Sequence, residues 1–287
     1  MSMQQRIQNE LNIRGIKAPA YFKSDLVSIS HNRTKERISR HDLEILESFP
    51  SHGLSDLKGA ELMDRVDTKF ILPIKKLPFI LAELKSDYSI LEIQNKRIFT
   101  YYNTYFDTED HRFYHMHHQG KLNRYKVRHR HYLDSDTGFL EVKFKNNKGR
   151  TLKSRIPLAQ ADINTTEAQT FLSSEFNLPY KQLKPSQFGS YQRIALANEA
   201  SCERITFDLN LSFFSKKPQD NIHLPKLFIA ELKQGRHNRQ SPFARLMARL
   251  DIRSSKFSKY CIGCALVDNS LKANRFKPEL MTLQKLH

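Results

Sequence analysis

Lys126-Val127-Arg128-His129-Arg130-His131-Tyr132 is followed, after the turn-forming Asp134-Ser135-Asp136-Thr137-Gly138, by Glu141-Val142-Lys143-Phe144-Lys145. Successive side chains of a β-strand point to opposite faces, so this alternation puts Lys126, Arg128, Arg130, Glu141, Lys143 and Lys145 on one side. Val127, Val142 and Phe144 point the other way. The turn residues between the two runs join them as one hairpin. A sheet that buries its apolar face usually turns mixed charges to water, whereas one sign dominates here. Glu231-Leu232-Lys233 and Lys256-Phe257-Ser258-Lys259 repeat the alternation later in the chain. A ligand carrying many negative charges would account for such a face.

The 287 residues, 39% of them hydrophobic, suffice for a genuine core in one large domain or two small ones. The net charge of +17, from 47 Lys and Arg against 30 Asp and Glu, calls for a polyanionic partner or a membrane surface. Nucleic acid is the first class to weigh, but the sequence has no helix-turn-helix signature, no Cys/His finger and no RNP-like aromatic strand. Its densest charges lie on strands rather than on one helix face. A nucleotide or a chain of phosphates fits better. Apolar runs such as Cys261 to Val267 fall short of the roughly 20 residues of a membrane span, and Met1 to Glu10 is too polar for a signal peptide. A cytoplasmic setting is expected. Cys202, Cys261 and Cys264 make no disulfide framework, and a single C-x-x-C pair lacks the second pair of a structural zinc site, so they read as ordinary thiols.

Residues 1–50 read as a basic, polar extension in which Leu43, Ile45 and Leu46 suggest a short helix. Residues 51–287 read as one domain. Strand-like alternation begins at Arg65-Val66-Asp67-Thr68-Lys69-Phe70-Ile71-Leu72 and gives way after Pro73 to Leu77, Ile80, Leu81 and Leu84 at helical spacing. Residues 98–107 form another strand, the hairpin spans 124–146, and Leu152 to Ile156 lie on a third strand. Ala168, Phe171, Leu172 and Phe176 return to helical spacing. Strands follow at Tyr191–Ala195, Arg204–Asp208 and Leu227–Lys233. Ser241-Pro242 is a good helix start, an N-cap followed by proline at the first helical position, and Phe243, Leu246, Met247 and Leu250 supply the apolar face.

About eight strands with few helices place the fold in the α+β class. Closing them into an antiparallel barrel would collect Lys69, Arg128, Arg130, Lys143, Arg193, Arg204, Glu231 and Lys256 in one polar interior. A charged interior needs solvent or a ligand to offset desolvation.

The ordered set Arg65-x-Asp67-x-Lys69, Tyr105-Phe106-Asp107-Thr108, Lys126-x-Arg128-x-Arg130-x-Tyr132, Glu141-x-Lys143-x-Lys145, Tyr191-x-Arg193, Arg204-Ile205-Thr206-Phe207-Asp208, Glu231-x-Lys233 and Lys256-Phe257-Ser258-Lys259-Tyr260 resembles the VTC domain. That is the polyphosphate polymerase catalytic domain of the vacuolar transporter chaperone complex, in the triphosphate tunnel metalloenzyme (CYTH-like) superfamily. The resemblance spans roughly residues 55–265. It implies an eight-stranded antiparallel tunnel with flanking helices that binds a nucleoside triphosphate and threads a growing phosphate chain. It also implies that Lys69, Arg128, Arg130, Lys143, Arg193, Arg204 and Lys256 act on the reacting phosphates. Lys126, Tyr132, Lys153, Ser258 and Lys259 would assist in substrate binding, and Glu231 would hold a divalent Mn²⁺ or Mg²⁺. The transmembrane segment and SPX-like helical module of eukaryotic VTC subunits have no counterpart in the sequence.

Phosphoryl transfer needs in-line positioning and neutralisation of charge, which Arg forks, Lys ammonium groups and a bridging divalent metal supply. In chain extension the attacking phosphate oxygen is already ionised, whereas a hydrolase must activate water. The candidate interior carboxylates are Asp67, Glu141, Asp208 and Glu231. Hydrolytic members of the superfamily begin with an E-x-E-x-K strand, and here Arg65 and Asp67 stand in those acidic positions, which tilts the reading towards a polymerase. The alternatives are a triphosphate or polyphosphate hydrolase of the same fold and a non-catalytic binder of polyphosphate or nucleic acid. Arg65, Lys145 and Arg155 fit either tunnel mouths or an ordinary solvated sheet face. Asp107 and Asp208 read as turn caps rather than metal ligands. His111, His115, His117 and His118 read as a solvated cluster without metal.

Overall fold

A computed structural model of the chain describes residues 40–56, 66–148, 150–176, 183–215, 217–235, 238 and 240–286. Helix α1 (Arg40–Glu47) and the two-residue strand β1 (Ser51–His52) precede β2 (Val66–Pro73), α2 (Leu77–Leu84), β3 (Ser89–Leu91), β4 (Phe99–Asp107) and α3 (Arg112–His118). The hairpin follows as β5 (Arg124–Tyr132) and β6 (Thr137–Lys145), then β7 (Thr151–Pro157), α4 (Thr166–Glu175), β8 (Lys184–Asn198) and β9 (Glu203–Phe214). The chain continues through β10 (Ile222–Leu224), β11 (Leu227–Gln234), α5 (Pro242–Arg249), α6 (Lys259–Val267) and α7 (Lys277–Leu286).

Eight strands form the main path of one antiparallel sheet, in the order β2-β11-β9-β8-β4-β5-β6-β7, with β1, β3 and β10 added at its margins. This is the antiparallel sheet with flanking helices that the alternation predicts. Among the described residues the two end strands, β2 and β7, exchange no backbone hydrogen bonds. The outer edge of β2 instead accepts the Ser255 N–H at the Lys69 carbonyl, 2.7 Å away. Arg65 lies outside the described residues.

Hydrophobic alternation sets the register. On the convex face Leu72, Ile194, Ile205, Phe207 and Leu232 pack with Leu77, Ile80, Leu81 and Leu84 of α2 and with Phe243, Leu246 and Met247 of α5. Leu46 and Phe49, within the segment read from sequence as an extension, join the same cluster. Further along, Val127, Leu140 and Val142 pack under Ala168 and Leu172 of α4. Each such side chain contributes roughly 1.5–3 kcal/mol by leaving water. A one-residue slip of β5 or β6 would exchange Val127 and Val142 for Arg128 and Glu141, so the slip is strongly disfavoured.

The helix starts are local. The Ser241 side chain accepts the Ala244 N–H at 2.9 Å, with Pro242 in the first turn of α5. Thr165 caps α4 in the same way. Lys256-Phe257-Ser258-Lys259 is not a charged strand as its alternation suggests. Ser258 is the N-cap of α6, its hydroxyl accepting the Cys261 N–H, because the apolar run from Tyr260 to Cys264 is buried as a helix. None of the described helices is long and apolar enough to cross a membrane.

Candidate functional site

The concave face of the sheet carries the alternate set of residues. Cross-strand register aligns Lys126 with Lys143 and Arg128 with Glu141, and continues to Lys153 and Arg155 on β7. On the other side Arg128 and Arg130 face Tyr105 and Asn103 of β4, whose Tyr101 and Phe99 face Tyr191 and Arg193 of β8. Arg193 faces Asp208, and Thr206, two residues along β9, faces Glu231, which faces Lys69. Lys69, Lys126, Arg128, Arg130, Lys143, Lys153, Arg193, Arg204 and Glu231 therefore share one face.

Three carboxylates knit this face together, Glu141 and Asp208 buried and Glu231 half-buried, each between two cations. Glu141, 1% exposed, accepts from Arg128 Nε at 2.7 Å and pairs with Lys153 Nζ at 2.7 Å. Asp208, 0% exposed, takes the Arg193 guanidinium in a two-point bond of 2.6 and 2.9 Å and also pairs with Lys259. Glu231 lies between Lys69 at 3.1 Å and Lys233 at 3.0 Å. Asp208 is thus not a turn cap: it sits in mid-strand, and its position opposite Arg193 commits it to an ion pair. Asp107 is the cap, accepting the Phe113 and Tyr114 N–H groups at 2.9 Å and the Tyr260 hydroxyl.

The remaining cations rest on rings and amides. Arg130 donates to Asn103 Oδ1 at 3.3 Å and lies 5.4 Å above the Tyr101 ring. Arg193 stands 5.2 Å from both Tyr101 and Tyr191, which stack on each other, and Lys259 lies 4.6 Å over Tyr191. Such contacts hold guanidinium groups in place while leaving N–H donors for a ligand. Lys126 Nζ donates to Ser258 Oγ at 2.9 Å. Lys143 has no ion-pair partner among the described residues.

The electrostatics follow from this geometry. Burial of Lys143, reinforced by Arg128 beside it, holds its ammonium well below the usual lysine range despite Glu231 and Glu141 nearby. Burial likewise lowers Lys126 to about 8, with Lys69, Arg124 and Arg128 adding to the effect against an opposing contribution from Cys261. Burial alone would raise Glu141, Asp208 and Glu231, but the paired cations overcome it and hold all three well below the carboxylate range. These carboxylates are poor proton acceptors. The face as a whole offers many convergent N–H donors and a surplus of positive charge, the arrangement that neutralises phosphate oxygens.

The other sequence-derived positions lie at the margins. Ser258 and Lys259 reach the face from the start of α6, not from a strand. Arg204 stands two residues before Thr206 near the beginning of β9, and Tyr132 stacks at an angle on Tyr101 at the end of β5. Lys256 is exposed on the loop before α6. Sequence reasoning placed Lys233 in the charged alternation without giving it a role and missed Asn103 and Tyr101, although all three occupy in-phase positions of their strands. His118 is bonded to Asn274 and His111 to Ser186. Among the described residues no group of three or more His, Cys, Asp or Glu side chains is placed to hold a metal. Glu231, the carboxylate expected to hold a divalent ion, has one oxygen on Lys69 and the other on Lys233.

The family model of the VTC domain matches residues 64–268. No curated protein matches the sequence. Among solved structures, a candidate adenylate cyclase from Bacillus halodurans is similar at 14% identity with a TM-score of 0.46, covering 74% of this chain and 97% of the other. A candidate adenylyl cyclase from Hippeastrum described as having a dominant triphosphatase activity is similar at 11% identity and a TM-score of 0.41, covering 70% and 95% of the two chains.

Proposed function

The chain belongs to the VTC domain family, and on that premise we propose that it is a metal-dependent, polyphosphate polymerase-like phosphotransferase. It would move the terminal phosphate of a nucleoside triphosphate onto a phosphate chain held along the concave basic face. The observation that carries this reading is the cluster of cations around Lys143, which faces Lys126 and Lys153 across its two neighbouring strands and has no ion-pair partner among the described residues, so that a bound anion would relieve their repulsion. In this reading Arg128, Arg130, Lys143 and Arg193 grip the reacting phosphates, with Lys69, Arg204 and Lys256 along the path of the chain. Lys126, Lys153, Ser258, Lys259 and Tyr132 assist at its flanks. Mn²⁺ or Mg²⁺, when bound through Glu231 and phosphate oxygens, supplies charge neutralisation for the transferring group.

The carboxylates favour transfer to phosphate over transfer to water. Glu141, Asp208 and Glu231 are each committed to two cations and held strongly acidic, so none is poised to deprotonate water at neutral pH. A terminal phosphate oxygen needs no such base. The test is incubation with ATP and Mn²⁺ followed by gel electrophoresis of the products. Polymers longer than the input triphosphate are expected. Orthophosphate alone would make the protein a hydrolase of the same fold, and metal-independent binding without turnover would make it a binder.

A further inference from the structure

The cationic track does not stop where the concave face ends. Lys126 lies between Arg128 and Arg124 on the same face of β5, so it links the interior to the first residue of β5 and the last of β6. There Arg124 stands directly opposite Lys145. Arg275, on the turn before α7, packs its guanidinium over Gly120, and a Cβ at Gly120 would lie 2.6 Å from Arg275 Nη2. Gly120 has a φ of 72°, so the glycine both makes this turn and leaves room for the guanidinium.

All of these charges bear on one ring. His117 is pulled far below the ordinary histidine range, first by burial and then by Lys126, Arg124, Lys145 and Arg275. The carboxylates on neighbouring segments are engaged elsewhere: Glu109 with Lys184, Glu279 with the Lys256 N–H, and Asp268 with Ser270. The other end of the sheet is different. Lys96 pairs there with Asp134, and His131 bonds to Asp136. The two ends thus differ in sign balance, and only the Arg124 end prolongs the cation surplus of the interior.

We propose that Arg124, Lys145 and Arg275 form a second anion subsite that holds the part of an inorganic phosphate chain projecting beyond the concave face. This rests on the phosphate-binding reading of that face and adds both a direction and a length preference to it. A chain of phosphates is favoured over single-stranded nucleic acid because base stacking needs exposed rings. At this rim Phe276 is only 6% exposed and lies against His117.

The test compares wild type with the double variant Lys145→Gln/Arg275→Gln in calorimetric titrations with tripolyphosphate and with long-chain polyphosphate at two salt concentrations. Both substitutions are at partly or fully exposed positions, and melting curves check the fold. The variant should bind long-chain polyphosphate about tenfold more weakly, with less than about a twofold change for tripolyphosphate. The slope of log affinity against log salt for the long chain should fall by about 1.4, at roughly 0.7 for each phosphate contact removed. Equal losses for the two ligands, or no loss for either, would overturn the subsite. So would displacement of polyphosphate by single-stranded RNA at equal charge concentration. If the wild type binds the long chain with this sensitivity but not tripolyphosphate, the rim stands and the interior reading falls. If it binds neither, both fall.

Discussion

Lys143 stands directly across the β5–β6 ladder from Lys126, two like charges facing each other on the concave side of the sheet. Lys153 faces Lys143 from β7, but it has Glu141 as a partner. Directly opposed like charges destabilise a sheet, so in the unliganded protein this row is a cost that an anion would relieve.

The first prediction concerns that cost. Lys143→Met should raise the melting temperature of the unliganded protein by roughly 2–4 °C, the shift expected for about 1 kcal/mol in a chain of this size. It should also abolish stabilisation by tripolyphosphate. Differential scanning fluorimetry with and without the ligand reads both effects. A variant less stable than wild type yet still stabilised by the ligand would show that Lys143 is an ordinary structural residue.

The pH dependence has a definite sign. Lys126 is lowered to about 8 in the folded protein, against about 10.4 in an unfolded chain. Between these values the unfolded state binds more protons, so this lysine makes stability rise as pH increases from about 8 towards 10. Urea melts of wild type and Lys126→Met across that window should differ by this slope. Parallel curves would contradict the assigned burial.

Glu231→Gln separates binding from turnover. The amide keeps the shape and releases Lys69 and Lys233 from their shared carboxylate, so tripolyphosphate affinity should be retained or tightened. Turnover of ATP with Mn²⁺ should fall about a hundredfold, the upper range for losing a group that fixes a metal. Unchanged turnover would remove Glu231 from the metal site.

Asp107→Ala should act on stability alone. Its carboxylate holds the start of α3 and the Tyr260 hydroxyl, and removing a buried charged acceptor of several bonds costs on the order of 3 kcal/mol. Chemical denaturation should register that loss, while the Mn²⁺ concentration needed for half-maximal turnover stays the same. A shifted metal requirement would give Asp107 a role in metal binding.

Much of the concave face was legible in the sequence because a period of two, once phased by Val127 and Val142, fixes every other residue on that strand. The helices of the convex face were equally legible where leucines recur at helical spacing, as in α2. Lys256 to Lys259 misled because four alternating residues fit a strand and a helix cap alike, and the choice was made by burial of Tyr260 to Cys264, which depends on tertiary packing. The pairing of Asp208 with Arg193 was hidden for a related reason: it requires the β8–β9 register, which includes a bulge between Ser190 and Gln192 that no local pattern announces. The aromatic support under Arg130 and Arg193 comes from a third strand, β4, and is likewise a product of strand order.

The most direct measurement is a crystal structure with tripolyphosphate. The account predicts phosphate groups on the concave face, within hydrogen-bonding distance of Arg128, Arg130, Lys143 and Arg193, with Lys143 gaining a contact it lacks in the unliganded arrangement. Phosphates bound only on the convex or outer surfaces, with the Arg128 to Arg193 face left to water at saturating ligand, would contradict it.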